Sequence, residues 1–361
     1  MRIITSFVIC IFMLFLALPI TVYAEENSLM TEVGGQLDEL LEDNGIELSF
    51  DDAGDITLEN IAEMIRSRIG WSRLPFRSIA ANIGIVIVLT AVLGAAGGIF
   101  NSGSLPLNSS VSVISAASVL FPLIYDIYGQ ALEAVRTSAG FIAVFIPVFA
   151  GIAAAEGNIA SAGIYDIMVI GAVELIVQLS SALLIPLLNL VTILSVTGSI
   201  FRKTDISRIT SLLSKLTVWG LTAAMTLFTG FLTLKCSLAG KADGAATKTV
   251  RFFLSGSVPV VGGAVNDAYS AVRSSLELIR GTAGTIGCIA VAVILLPPLI
   301  QIIVFRGGLW IMTALSELFE AEAVNKMLKD VDGGLSIAQA LLVSSGMMFI
   351  LSTGIIMKIS G

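Results

Sequence analysis

Phe252-Phe-Leu-Ser-Gly-Ser-Val-Pro-Val-Val-Gly-Gly-Ala-Val-Asn-Asp-Ala-Tyr269 is the stretch whose reading decides the fold. It is apolar enough to enter a bilayer, yet it carries Gly256, Pro259, Gly262 and Gly263 and closes on Asn266 and Asp267. Proline removes a backbone donor and glycine loosens a helix. Such backbone survives at membrane depth only where protein or a water-filled cavity covers it. The stretch is therefore expected inside a bundle. The fold class that follows is an all-α polytopic membrane bundle of about 6–7 apolar segments, some broken or re-entrant.

The totals agree. Of 361 residues, 56% are hydrophobic and 13% charged, and the mean hydropathy is +0.95. Soluble domains carry about 25% charged residues, so water is not the solvent for most of this chain. The 34 glycines suit close helix contacts in lipid. The net charge of −7 divides unevenly: thirteen acids and no Lys or Arg lie between Glu25 and Glu63, whereas 14 acids face 19 bases after Glu63. No basic patch is interleaved with aromatics, so nucleic acid is not an expected partner. The chain has no histidine, which removes Ser-His-Asp triads, HExxH zinc sites and histidine relays together. It also lacks GxxxxGK[ST] and any GxGxxG after a strand. No cofactor and no enzymatic activity are expected; energy for transport comes from an ion gradient or another subunit. Cys236 and Cys288 read as free thiols.

In chain order, Met1-Arg2, the apolar run Phe7 to Leu18 and Val22-Tyr23-Ala24 make residues 1–24 a signal peptide. Whether it is cleaved or kept as an anchor, Glu25 onward emerges on the non-cytoplasmic side. Residues 25–77 form an acidic extracytoplasmic head, with a helix over Leu29 to Leu41 and a second from Thr57. Asp51, Asp52, Gly54 and Asp55 lack EF-hand spacing and read as a solvated turn. So short a head buries little core alone, and it should dock on a partner or on the membrane body.

Residues 78–361 form the membrane domain. Its apolar segments are Ile79 to Phe100, Val111 to Tyr128, Gly140 to Ala155, Ile167 to Val196, Leu216 to Leu234, the broken stretch 252–269, Thr285 to Phe305 and Leu335 to Met357. Over 307–334, Met312, Leu315, Phe319, Ala323 and Met327 share a helical face opposite Glu317, Glu320, Lys326 and Lys329. That pattern is an amphipathic helix for the membrane surface, or for a soluble partner. The basic loop with Arg202, Lys203, Arg208 and Lys215 is a candidate cytoplasmic contact. An exported head then requires an odd number of crossings before Arg202, so 111–128 is read as re-entrant or surface-lying.

Two segments echo each other: Phe145-Ile-Pro147-Val-Phe-Ala-Gly151 before Glu156-Gly-Asn158, and Ser257-Val-Pro259-Val-Val-Gly-Gly263 before Asn266-Asp267. Paired broken segments build midplane sites in many transporters. Glu174 lies within an apolar run, with Gln178 one turn later. A carboxylate at that depth costs about 2.5–3.5 kcal/mol on insertion scales, so it bonds a neighbouring helix or faces a hydrated pathway. The pathway or packing candidates are Glu174, Gln178, Pro259, Gly262, Gly263, Asn266 and Asp267. An ion-coupled secondary transporter of an unknown solute is the alternative reading, with Glu174 and Asp267 in its site.

The signal peptide, the acidic head, Phe145-Ile-Pro147-Val-Phe, Leu184-Ile-Pro186-Leu and above all Ser257-Val-Pro-Val-Val-Gly-Gly-Ala-Val-Asn-Asp267 resemble the stage III sporulation protein AE family of endospore-forming bacteria. The resemblance covers nearly the whole chain. It implies a membrane component of a sporulation channel complex, made in the mother cell and facing the engulfed forespore. The implied partners are the membrane, a cytoplasmic secretion-type ATPase, small membrane subunits and ring-forming proteins of the intermembrane space. It carries over no catalytic residue.

Overall fold

The computed structural model describes residues 28–43, 46, 81–92 except 83 and 90, 107–181, 185–200, 206–257 and 262–359. The signal peptide, the expected helix from Thr57, Arg202, Lys203 and Pro259 lie outside these residues, as does much of 79–100. Among the described residues the structure is helical, without a strand. The main helices are α1 (Ser28–Asp43), α2 (Leu107–Ala155), α3 (Ile159–Leu179), α4 (Ile185–Ile200), α5 (Ile206–Ser257), α6 (Gly262–Leu318) and α7 (Glu322–Ile359). Residues 81–92 are also helical where described. Five helices are long and apolar enough to cross a membrane: Ser109–Ala155, Ile159–Leu179, Ser211–Val250, Ser270–Leu318 and Glu322–Lys358. The expected class, a polytopic helical membrane bundle, is the observed one.

The helix α1 docks on α2 and α6, burying Leu37, Leu40 and Leu41. The expected docking of the head on the body is therefore met by its first helix.

Four expected boundaries change. The segments 111–128 and 140–155 are parts of one 49-residue helix, α2. Val113, Ala116, Leu120, Ile124 and Ile127 are buried in it, so 111–128 is not a surface segment. Average hydropathy drops at Glu133 and Arg136, but both point outward while Ala131, Ala134 and Val135 keep the buried face continuous.

The expected segment 167–196 starts earlier, at Ile159, and is two helices. The hydroxyls of Ser180 and Ser181 donate to the carbonyls of Ile176 and Val177, a local competition that loosens a helix end. Pro186 then falls in the first turn of α4, where its missing N–H costs nothing.

The stretch 307–334 is not one amphipathic helix. It is the end of α6 and the start of α7, joined by a turn in which Glu320 takes a φ of 53°. Met312, Ala323 and Met327 are buried inside the joint, and Phe319 is exposed. Glu317 pairs with Lys329 at 3.0 Å across the turn, so the polar face predicted for a lone helix closes on itself.

The stretch 252–269 joins two long helices. Ser257 lies fourteen residues past Asp243, and Gly262 eighteen residues before Arg280. At 1.5 Å per residue these ends stand about 21 and 27 Å along their helices from those two residues, which mark the buried end of the bundle (below). The outer parts of the stretch belong to the end of α5 and the start of α6, and the expected break at 258–261 lies outside the described residues. Lys241, Lys248, Arg251, Arg273 and Glu277 flank it, a polar setting that averaging over its apolar centre conceals.

Inside the bundle, α2 and α6 approach closely. Phe141, Phe145 and Phe149 stack along α2 with centroids 5.7 and 5.5 Å apart, and Phe349 of α7 meets Phe145 edge-on at 5.6 Å. Gly284 and Gly287 of α6 leave the room these rings occupy. A packed aromatic core, rather than a lumen, fills this part of the chain.

Candidate functional site

The most heavily charged buried site forms where α2 ends. Gly157, with φ 94°, stops the helix: the N–H of Asn158 donates to the carbonyl of Ala153 at 3.1 Å and that of Gly157 to Ala154 at 2.9 Å. This is a glycine-closed Schellman end. It turns Glu156 inward, where it is buried. Arg280 of α6, also buried, meets its Oε2 at 2.8 Å, and the Asn158 side-chain amide donates to the same oxygen at 3.0 Å. The next helix lacks a local side-chain cap. Asp243 of α5 supplies one from a distance, accepting from the N–H groups of Ala160 and Ser161 at 3.0 and 2.9 Å. Four helices, α2, α3, α5 and α6, are thereby registered against one another by three charged side chains.

Burial pushes the Glu156 carboxyl up to about 7, with Arg280 opposing the rise and Glu277 adding to it. Oε1 of Glu156 has no hydrogen-bond partner among the described residues. The arrangement suits a carboxyl that changes charge near neutrality beside a fixed cation. No cluster of metal-ligating side chains occurs among the described residues.

A second clasp closes the other end. The Arg306 guanidinium donates to both carboxylate oxygens of Asp332, at 2.6 and 3.1 Å, and also to Gln339. Nearby on α7, Gly334 faces the hydroxyl of Tyr128, which pairs with Thr192 at 3.4 Å. Arg280 and Arg306 bracket a stretch of α6 free of charged residues. The twenty-six helical steps from one to the other span about 39 Å, close to a bilayer core with its interfaces. Between the clasps, Tyr165 and Thr353 share a hydrogen bond at 3.0 Å, and Cys236 and Cys288 are buried free thiols.

The structure scatters the candidates read from the sequence. Glu174 and Gln178 do bond, at 2.9 Å, but to each other on the exposed face of α3 rather than to a neighbouring helix. Gly262, Gly263, Asn266 and Asp267 lie in the first turns of α6, and their side chains fall outside the described set. Asp267 stands thirteen residues before Arg280 on the projecting arm, whereas Glu174 stands fourteen past Ala160 within the bundle. The two positions therefore lie on opposite sides of the Glu156–Arg280 level along their helices. Arg208 and Lys215 are exposed near the start of α5.

Sequence reading missed Arg280 and Asp243. The only signal for Arg280 was its place as the last charge before the charge-free run 281–305; Asp243 had none.

A family profile described as stage III sporulation protein AE matches residues 46–360. A stage III sporulation protein AE of Bacillus subtilis (strain 168) is 25% identical over 284 residues, covering 77% of this chain and 69% of that protein. No solved structure matches.

Proposed function

For a chain that belongs to the stage III sporulation protein AE family, and so has a role in sporulation, we propose a non-enzymatic membrane subunit of the channel or secretion-like complex joining mother cell and forespore. It resides in the mother-cell membrane around the forespore. A cytoplasmic ATPase supplies the energy, and ring proteins of the intermembrane space continue the path.

The observation that carries this reading is helix length. The helices α2, α5 and α6 have 49, 52 and 57 residues. They extend about 74–86 Å, against 40–45 Å for a bilayer with its headgroups. Such helices present protein to soluble partners beyond the lipid, which a solute carrier folded within the bilayer does not require. The packed rings between α2, α6 and α7 favour a conduit built between chains over one through this core. The separation of Glu174 from Asp267 counts against the ion-coupled transporter.

The α3–α4 pair runs from the Asp243 level, where Ala160 is capped, to Thr192 beside Tyr128. It therefore counts as one crossing. In this proposal Arg202, Lys203, Arg208 and Lys215 face the cytoplasm, on the excess of positive charge in that loop, and the head 25–77 lies on the other side, on the export of its leader.

The test is affinity isolation of the tagged full chain from sporulating cells. Recovery of the ATPase and ring proteins is expected; their consistent absence overturns the assignment.

A further inference from the structure

The helix α5 is the least covered of the membrane-length helices. Only 11% of its most apolar window is buried, against 67% for α6. Beside it runs an open groove of about 650 Å³, walled by Thr226, Thr229, Gly230 and Thr233 of α5 and by Met347 and Leu351 of α7. Elsewhere on the surface, α3 exposes a carboxyl and an amide, Glu174 and Gln178. No α3 residue lines the groove, so a chain does not fill its own.

Depth links the two surfaces. Asp243 holds the N–H groups of Ala160 and Ser161, which fixes the register of antiparallel α3 and α5. Glu174 is fourteen residues beyond Ala160, and Thr229 is fourteen residues before Asp243. Both therefore stand about 21 Å from the capping level. Gln178 falls level with Met225 and Thr226 by the same count.

We propose that copies of this chain associate side by side in the membrane, the α3 face with Glu174 and Gln178 of one copy entering the α5–α7 groove of the next. Rotation about the bilayer normal preserves depth, so a second copy brings its polar pair to the threonines without further adjustment. The chemistry is complementary. The hydroxyls of Thr226 and Thr233 donate to the carbonyls of Thr222 and Thr229 in their own helix, at 2.9 and 2.7 Å, leaving their oxygens to accept. The Gln178 amide retains a second N–H after bonding Glu174. In hydrocarbon these groups gain most from such partners. Because the two surfaces differ, the contact is heterologous and its repetition closes a ring or extends as an open array. The inference rests on fold and depth alone and stands whether or not the channel complex is the right assembly.

The test pairs two differently tagged full-length copies in one membrane, one carrying Gln178→Cys and the other Thr226→Cys. A mixed-tag cross-linked dimer is expected at least an order of magnitude above either variant alone and above Gln178→Cys with Trp310→Cys. Equal yields overturn the proposal and leave the groove to lipid or to another subunit. A dominant Gln178→Cys homodimer overturns it in favour of a symmetric α3 contact. Should a cysteine variant fail to fold, Glu174→Leu and Glu174→Gln are compared in the otherwise unaltered chain by co-isolation of the two tags. Leu is expected to weaken association about three- to tenfold for each interhelical hydrogen bond lost, and Gln to retain most of it; association of Glu174→Leu equal to the parent overturns the proposal.

Discussion

Gly287→Ala tests the packing on which every other placement depends. A Cβ at Gly287 would meet the ring of Phe145, with Cζ nearest, Cε2 at 2.7 Å and Cε1 at 2.9 Å. That ring has no slack: it is fully buried, stacked between Phe141 and Phe149 and met edge-on by Phe349. The added methyl must push α2 from α6 or force the ring off its rotamer. Overpacking of this kind costs about 1–3 kcal/mol, and a ring held on three sides belongs at the upper end. Gly281→Ala, about one and two-thirds turns away, is the control. Its Cβ meets nothing within 4 Å, so it should gain up to about 1 kcal/mol of helix propensity. That gain is common to both substitutions, so the two alanine variants should differ by the overpacking alone, about 3 kcal/mol. Unfolding of the detergent-solubilised full chain, by heat or by titration with a denaturing detergent, reads the difference. Phe145→Leu should recover part of the loss in the Gly287→Ala background. If Gly287→Ala proves as stable as Gly281→Ala, α2 and α6 do not approach as described, and the registers built on that contact fall with it.

The Glu156–Arg280 clasp predicts a pH dependence with a definite sign. The carboxyl titrates near 4.5 when unfolded and about 7 when folded, so its contribution is full below the lower value and lost as pH rises through the upper. That loss amounts to about 3 kcal/mol, and Glu156→Gln should flatten it; an unchanged thermal profile from pH 5 to 8 contradicts the assignment. Removing the partner outright, as Glu156→Ala, leaves Arg280 buried without its carboxylate and should cost about 3–5 kcal/mol by the same unfolding assay. Asp243→Ala strips two N–H groups at the start of α3 of their acceptor, with an expected loss of about 1–2 kcal/mol, whereas Asp243→Asn should lose less. Finally, cysteines replacing the exposed Lys215 and Lys248 should react with an impermeant maleimide from opposite sides of the membrane. Labelling of both from one side refutes the long α5 crossing.

Hydropathy alone established the solvent, the helical class and the uncharged run that fits a bilayer. These are properties of local composition: in lipid the backbone must satisfy itself within each helix, and an average over a turn or two detects such a segment wherever it lies. The same average erases direction. It split α2 at Glu133 and Arg136, which point outward. Partnership is a further step removed. Glu156 meets a residue 124 positions on, and α3 is capped from 83 positions away; such pairs depend on the relative register and rotation of whole helices, set by contacts such as Gly287 against Phe145. Glu174 shows the division most plainly: sequence marked it as a costly carboxylate in an apolar run, and only the packing of α3 decided that it faces outward.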